Sequence, residues 1–211
     1  MIEMKGPLPR YVRILDFLPE SEVQQLFDWA YSNRDIFRPA RVSTTQPRVD
    51  PKVRITLVST ELGPWEEQIR ERLLGVLPQI LDGTGTRGES PTKLELQLAA
   101  HGDGAYYTPH VDVEIGTDRQ TSACPVRVLS AVYYFHAQPQ AFFGGQLRLF
   151  GFGPVPAVQE PQLAPHVDID PIRNSLVVFP SWVPHEVRPI SVPTDEFADY
   201  RFALNCWHCR P

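Results

Sequence analysis

The sequence predicts an α+β fold that is mainly β, a jelly roll braced by two N-terminal helices. The second half of the chain divides into many short β-rich segments separated by Gly, Pro, Asp and Thr, a pattern typical of sandwiches and jelly rolls. The 22 prolines suit a chain with many turns better than a helical bundle. Two segments with apolar residues at helical spacing precede the predicted strands.

The N-terminal region begins with a short predicted strand at residues 11–18, and a helix is expected over residues 22–32. Ser21 and Gln24 form a predicted capping box at the start of this helix. Apolar side chains then recur at helical spacing, which predicts one buried face.

A second helix is expected over residues 64–81. Pro64 suits the first turn of a helix, and Pro78 is expected to kink or end it. The predicted buried stripe of this helix consists of Ile69, Leu73, Leu74 and Leu77.

Residues 82–91 are rich in Gly, Thr and Ser and predict a loop before the strands begin. Three longer stretches without a strand pattern, at residues 114–125, 151–174 and 191–199, are candidates for functional loops. We expect one domain, in which residues 1–92 support a catalytic core at residues 93–208. The predicted strands cover residues 94–100, 106–113, 126–135, 145–150, 175–179, 185–190 and 200–208.

Composition excludes several classes of function. The chain has 211 residues, 42% hydrophobic and 21% charged, with a formal net charge of −5. That charge argues against a nucleic-acid partner or an anionic membrane surface, and no segment reads as a signal peptide or a membrane span. The odd number of cysteines, three, fits a reducing compartment, and we expect a cytoplasmic location.

Three residues have the spacing of a two-His, one-carboxylate metal site. His110 and Asp112 lie two positions apart on a predicted strand, so their side chains point the same way, and His185 follows on a later strand. Three protein ligands leave coordination positions open, which suits ferrous iron that binds an organic cosubstrate and oxygen together. Zinc with three ligands and an open position remains an alternative.

A second His-x-Asp segment, His166 to Asp168, competes for the same interpretation. A jelly-roll site takes its remote histidine from several strands away, and the separation from His110 to His185 leaves room for those strands. His166 is too close to His185 and lies in a Pro-rich stretch, so we interpret it as a solvated loop residue.

Arg201 is an unusual residue on the last predicted strand. It shares one face with Ala203, Asn205 and Trp207, because side chains on a strand alternate. Two interpretations are open: an arginine whose charge reaches solvent at the sheet edge, or a fork for a carboxylate at the far end of the metal pocket. Trp207, on the pocket face, is expected to wall the metal site.

Six segments follow one another along the chain: YTPHVD at 107–112, LSAVYYF at 129–135, GGQLRLF at 144–150, LVVFPS at 176–181, HEVRP at 185–189, and YRFAL at 200–204 with Trp207. Each segment alone is a weak signal. Taken in order, they resemble the iron(II)/2-oxoglutarate-dependent dioxygenases, in their prolyl-hydroxylase-like branch, and the resemblance covers residues 94–207.

The resemblance implies a double-stranded β-helix in which His110, Asp112 and His185 bind Fe(II). Arg201 would bind the distal carboxylate of 2-oxoglutarate, and Tyr134 matches a tyrosine that hydrogen-bonds the same carboxylate. The implied reaction consumes O₂ and couples decarboxylation of 2-oxoglutarate, to succinate and CO₂, with hydroxylation of a C–H bond. Ascorbate is an implied reductant.

Two departures from the family pattern stand out. Residues 191–199 look like an insert between the distal histidine and Arg201, so Arg188 remains a second candidate for the carboxylate anchor. Where many relatives carry a tyrosine upstream of the first ligand, this chain has His101.

The substrate is expected to be a prolyl residue or another amino-acid-type group, in a peptide, a free amino acid or a small-molecule metabolite. Residues 114–125 are the predicted substrate lid, and residues 38–54 are expected to contribute to substrate choice. The alternative function is a zinc hydrolase or cupin-like metalloenzyme on the same scaffold.

Overall fold

The computed structural model describes residues 8–42, 47–89, 91–113, 126–151 and 165–210. Within this part of the chain, helix α1 spans Glu20–Ser32 and helix α2 spans Trp65–Thr84. The strands are β1 Val12–Leu15, β2 Arg38–Pro39, β3 Arg54–Ile55, β4 Leu57–Ser59, β5 Lys93–His101, β6 Tyr106–His110, β7 Val126–Tyr134, β8 Phe143–Gly144, β9 Leu147–Phe150, β10 His166–Ile169, β11 Ser175–Pro180, β12 His185–Val187, β13 Ile190–Ser191 and β14 Arg201–Arg210.

Two antiparallel sheets form the body of the described structure. The larger has the order β1-β11-β7-β14-β5-β4-β2, and the smaller has the order β10-β9-β12-β6-β3. A two-stranded ribbon joins β13 to β8. Mostly antiparallel strands in two facing sheets, with two helices, confirm the predicted jelly-roll class.

The larger sheet buries both of its faces, and strand alternation assigns residues to each. On β7, Ala131 and Tyr133 pack in a cluster with the buried residues of α1 and α2, whereas Tyr134 packs in a second cluster. That second cluster also holds Leu149 of the smaller sheet and Ala203 of β14, so it lies between the sheets. The helices therefore brace one face of the larger sheet, and the other face lines the interior in which the candidate site lies.

The helices depart from the prediction at their ends. α1 is preceded by Pro19 and has no side-chain cap, so the predicted capping box at Ser21 is wrong. α2 continues through Pro78 to Thr84 and ends at Gly85, which adopts φ 74°. The helix thus takes in the first residues of the predicted loop, and Leu74 of its predicted buried stripe is 49% exposed.

A strand occurs within each predicted strand range, but several of the predicted ends are wrong. The strand predicted to run to residue 113 ends at His110, and the one predicted for 185–190 ends at Val187. The loop interpretation of His166 is wrong, because this residue begins β10. The predicted lid at residues 114–125 lies outside the described residues, as do residues 152–164 of the stretch before β10.

Neither α1 nor α2 is both long enough and apolar enough to cross a bilayer; no other α-helix occurs in the described part of the chain.

Candidate active site

His110, Asp112 and His185 come together between the two sheets. One ligand atom from each, imidazole nitrogens and a carboxylate oxygen, can be chosen so that all lie within 4.8 Å of one another. His110 and His185 sit opposite each other on the paired strands β6 and β12. Asp112 lies beyond the end of β6, so strand alternation, the original argument for its direction, does not place it. A backbone hydrogen bond from Asp112 N–H to the Ser181 carbonyl (3.0 Å) holds it instead.

An irregularity in the β6–β12 pairing brings an additional ring to the site. His110 is opposite His185, but Val187, two residues later, is opposite Tyr107, three residues earlier. This extra residue is a β-bulge, which changes the alternation of side chains along β6. The Tyr107 ring consequently stacks on the His110 imidazole with a centroid separation of 3.5 Å.

Both imidazoles have a defined tautomer. His110 Nδ1 lies 2.8 Å from the Thr108 carbonyl oxygen, and His185 Nδ1 lies 2.9 Å from the Val183 carbonyl oxygen. A carbonyl oxygen only accepts, so each Nδ1 carries a proton, and Nε2 is the ring nitrogen that can bind a metal when the imidazole is neutral. Nε2 of His110 and Nε2 of His185 lie 3.7 Å and 3.5 Å from the Asp112 carboxylate oxygens. Two imidazoles and a carboxylate form a ligand set suited to a divalent metal.

The Asp112 carboxylate is oriented by two hydrogen-bond donors on the larger sheet. Ser130 Oγ–H donates to Oδ2 at 2.6 Å, and Trp207 Nε1–H donates to the same oxygen at 2.9 Å. Ser181 Oγ in turn lies 2.9 Å from Ser130 Oγ. Because both donors use Oδ2, Oδ1 remains available as a ligand atom.

Protonation states within the triad favour metal binding at neutral pH. Burial, and next the neighbouring His185, lower the pKa of His110 to about 3. Burial alone would raise the pKa of Asp112, but His185, His110 and the donors Ser130 and Trp207 hold it below its ordinary value. A neutral imidazole beside an ionised carboxylate is the state in which both can be ligands.

Arg201 lies in the same interior, with its charge fully enclosed. It is 1% exposed, and its guanidinium carbon lies 4.8 Å from the centroid of the Tyr134 ring. Among the described residues, Arg201 Nε and the Tyr134 hydroxyl are both shielded from solvent without a hydrogen-bond partner. An enclosed cation without a carboxylate partner and an enclosed hydroxyl without an acceptor are costly, so this is where a carboxylate fits.

His101 lies against the guanidinium of Arg201 and orients it. His101 Nδ1 lies 3.2 Å from Arg201 Nη1, which only donates, and 3.3 Å from the Arg201 backbone carbonyl oxygen, which only accepts. Burial, followed by the Arg201 charge, lowers the pKa of His101 well below its ordinary value. A neutral His101 lies against one edge of the guanidinium, while Arg201 Nε has no hydrogen-bond partner among the described residues.

A glycine makes room for the Arg201 side chain. Gly145 adopts φ 73°, and a Cβ there would lie 2.7 Å from Arg201 Cδ and 2.9 Å from Ile190 Cγ1. Both the backbone conformation and the close approach therefore require glycine. Gly145 is a positioning residue that the sequence pattern did not single out.

The other candidates from the sequence lie elsewhere. Arg188, the second candidate for a carboxylate anchor, pairs with Glu186 at 3.1 Å and has a 39% exposed side chain. Asp168 of the second His-x-Asp segment accepts two hydrogen bonds from Arg148, at 2.7 Å and 2.8 Å.

Two further arginines lie over rings that contact the triad; the sequence singled out neither, although Arg54 ends the stretch 38–54 that was expected to contribute to substrate choice. Arg127 lies over the Trp207 ring at 3.9 Å and pairs with Glu95 at 2.8 Å. Arg54 of β3 lies over the Tyr107 ring at 4.8 Å. They come from strands on either side of the interior, and only the assembled sheets bring them to the same site.

Comparison with known proteins agrees with this geometry. Residues 96–209 match the family model described as the 2OG-Fe(II) oxygenase superfamily. An uncharacterised PKHD-type hydroxylase of Synechocystis sp. is 32% identical over 200 residues, which are 93% of this chain. The chain spans 62% of that relative's length.

Solved structures show the same fold. A Pseudomonas putida prolyl-4-hydroxylase aligns with a TM-score of 0.65 at 24% identity, covering 96% of this chain and 94% of that one. A Trichoplax adhaerens prolyl hydroxylase, solved with a peptide fragment of the hypoxia inducible factor oxygen degradation domain, aligns with a TM-score of 0.61 at 20% identity. That alignment covers 98% of this chain and 84% of the other.

Proposed function

The chain belongs to the 2OG-Fe(II) oxygenase superfamily, and from that premise we propose that it is an Fe(II)- and 2-oxoglutarate-dependent hydroxylase of a prolyl or other amino-acid-type substrate. In this proposal His110, Asp112 and His185 hold the metal. Arg201 and Tyr134 bind the distal carboxylate of 2-oxoglutarate. Residues 1–92 support a catalytic core at residues 93–208 within a single domain.

One observation supports this proposal more than any other. The triad lies in the same enclosed interior as the Arg201 guanidinium, which has no carboxylate partner among the described residues. A metal site alone would fit a zinc hydrolase equally well. The unpartnered Arg201 Nε and Tyr134 hydroxyl supply a second requirement, for an anionic group held away from the triad. A diacid that chelates a metal through one end and reaches an arginine with the other meets both requirements.

The chain's own residues contribute ligation, orientation and shielding. Fe(II), when bound, supplies the activation of O₂ that couples decarboxylation of 2-oxoglutarate to C–H hydroxylation. Backbone carbonyls hold a proton on Nδ1 of each histidine, so Nε2 is the nitrogen that can bind the metal. The rings of Tyr107 and Phe179 cover the two imidazoles, Phe179 lying 4.7 Å from His185. These apolar covers limit the access of water to the ligands.

Turnover of 2-oxoglutarate tests the proposal. The protein is loaded with Fe(II) anaerobically, then given O₂ and isotope-labelled 2-oxoglutarate, and succinate is measured by mass spectrometry. We expect succinate even without substrate, and more when a panel of proline-containing peptides, amino acids and metabolites includes a substrate, which then gains one oxygen. Wild-type protein that binds Fe(II) but forms no succinate with any panel member would contradict the proposal, and hydrolysis with bound zinc would favour the alternative.

A further inference from the structure

Arg54 is a cation one aromatic ring away from the triad. It lies on β3, the edge strand of the smaller sheet, directly opposite Tyr107 of β6. Its guanidinium carbon is 4.8 Å from the centroid of the Tyr107 ring, and that ring stacks on His110. The charge is therefore held on the triad side of the β3–β6 pair.

This cation has no counter-ion among the residues that the structure describes. Its one hydrogen bond there, from Nη2 to the amide oxygen of Gln97, is 3.5 Å long, the limit for such a contact. Arg54 Nε is shielded from solvent without any partner. Burial lowers the pKa of Arg54 from its ordinary value, and the nearby Tyr107 and Asp112 offset that effect only in part.

Arg127 provides an internal reference for this arrangement. It also covers an aromatic ring that contacts the triad, because Trp207 donates to Asp112. Arg127, however, donates from Nε and Nη2 to Glu95 at 3.0 Å and 2.8 Å. Of two guanidiniums in similar positions, one is thus paired with a carboxylate, and the other has no carboxylate partner among the described residues.

The surroundings of Arg54 allow a ligand to reach it. Arg54 lines a cavity of about 290 Å³ at the sheet edge, where β3 continues into β4 and the turn after β5 lies close. Ile55 and Val49, which also line it, are 40% and 50% exposed. The cavity therefore opens outward, whereas the Arg201 anchor is enclosed.

We propose that Arg54 binds a carboxylate of the organic substrate and selects acidic substrates, which deepens the proposed function and rests on it. A guanidinium matches a carboxylate in bidentate fashion. The distal carboxylate of 2-oxoglutarate already has an anchor in Arg201, which leaves Arg54 for a different anion. Because only the Tyr107 ring separates it from His110, a carboxylate bound to Arg54 would bring a neighbouring C–H bond toward the metal, as a free amino acid or a C-terminal residue requires.

A binding experiment tests this without turnover. Wild type, Arg54→Gln, Arg54→Lys and the control Arg127→Gln are loaded with Mn(II) in place of Fe(II) and saturated with N-oxalylglycine, an unreactive analogue of 2-oxoglutarate. Acetate, L-proline and L-prolinamide are then titrated, and the relaxation of their protons by Mn(II) is measured by NMR. Thermal unfolding by circular dichroism verifies that each variant is folded.

We expect acetate and L-proline to bind wild type and Arg127→Gln, with L-prolinamide binding at least about tenfold more weakly. Arg54→Gln should weaken the binding of L-proline by a similar factor. The affinity of Arg54→Lys for L-proline should lie between those of wild type and Arg54→Gln, because lysine keeps the charge but loses the planar pair of donors. Equal binding of L-proline and L-prolinamide, or unchanged L-proline binding in Arg54→Gln, would overturn the inference.

Two further measurements separate the possible failures. The affinity of each variant for 2-oxoglutarate is measured without the analogue; if Arg54→Gln weakens 2-oxoglutarate and leaves L-proline unchanged, Arg54 serves the cosubstrate and the inference is wrong. If wild type binds neither Mn(II) nor N-oxalylglycine, the proposed function itself fails, and this inference fails with it.

Discussion

The same four residues, Pro-His-Val-Asp, occur twice in this chain and end in different surroundings. The first copy, residues 109–112, closes β6 and sends His110 and Asp112 to the interior beside His185. In the second copy, residues 165–168, the last three residues lie in β10, the outer strand of the same sheet. Asp168 there forms an ion pair with Arg148 and is 39% exposed.

Strand register accounts for the difference. Across the smaller sheet His185 is paired with Leu149, which is paired with Val167. Leu149 and Val167 pack in the cluster between the sheets. Val167 therefore points inward, and its neighbours His166 and Asp168 point to the opposite face. In the first copy the strand stops at His110, which frees Asp112 to turn toward the metal side. Whether the side chains of a His-x-Asp segment face the interior thus depends on the register of its strand as much as on the residues themselves.

Replacing the two aspartates gives the largest expected contrast. Asp112→Ala removes a candidate ligand, and we expect metal affinity and succinate formation to fall by more than about a hundredfold. Asp168→Ala should leave both within about twofold, because the ion pair it removes is on the outer face. Calorimetric titration with Mn(II) and a succinate assay measure the two effects. Similar losses in both variants would contradict the register argument.

The arginines extend the comparison of inner and outer faces. Arg201→Lys keeps the buried charge but loses the planar fork, so we expect the KM for 2-oxoglutarate to rise about tenfold to a hundredfold. Arg148→Lys, on the outer face, should leave this KM unchanged. Steady-state succinate formation at varied 2-oxoglutarate concentration gives the KM of both variants. An unchanged KM in Arg201→Lys would remove Arg201 from the cosubstrate site.

The low pKa of His110 predicts a pH dependence for the metal-free protein. In the folded chain its pKa is about 3, while an unfolded histidine binds a proton near pH 6.5. Between these values the unfolded state binds more protons, so the free energy of unfolding falls as pH decreases, by up to about 1.4 kcal/mol per pH unit. His110→Gln should flatten this dependence in urea titrations with a chelator present. Identical pH profiles for wild type and variant would contradict the prediction.

The smallest expected effect concerns stability on the outer face. Arg148 donates to Asp168, and both lie at the surface side of the sheet. Asp168→Ala should lower the free energy of unfolding by less than about 1 kcal/mol, because a partly exposed ion pair is screened by solvent. Urea unfolding at neutral pH measures this change. A loss of several kcal/mol would mean that the second Pro-His-Val-Asp copy has a role that the ion pair does not explain.

Local rules predicted the helices but not their ends. Apolar spacing located α1 and α2, since burial of Val23, Leu26 and Ile69 follows the helical period. The capping box at Ser21 failed because Pro19 already precedes the helix. Pro78 was expected to kink or end α2, yet the helix continues to Thr84, so the tertiary packing of its last turn outweighs the local cost of a proline.

The sequence predicted the candidate site residues that belong to the recognised segments, but it did not predict the roles of the residues packed around them. Spacing selected His110, Asp112 and His185 as candidates, and the structure brings them together; their role as metal ligands remains the proposal made above. Tyr107 escaped notice because its inward direction depends on a β-bulge, which alternation does not predict. Arg54 falls at the end of the stretch 38–54 that was expected to contribute to substrate choice, but it was not singled out, because an arginine on a two-residue edge strand has no pattern of its own.

The sequence by itself predicted the class of fold, the two helices, the longer strands and the side chains proposed to bind a metal and a diacid, since these follow from local periodicity and residue chemistry. The tertiary structure alone decided which Pro-His-Val-Asp copy faces inward, which arginine is neutralised and which is left open, and why Gly145 must lack a side chain. The physical reason is that strand register and the distance between sheets depend on contacts between residues far apart in sequence, and those contacts fix the direction of each side chain.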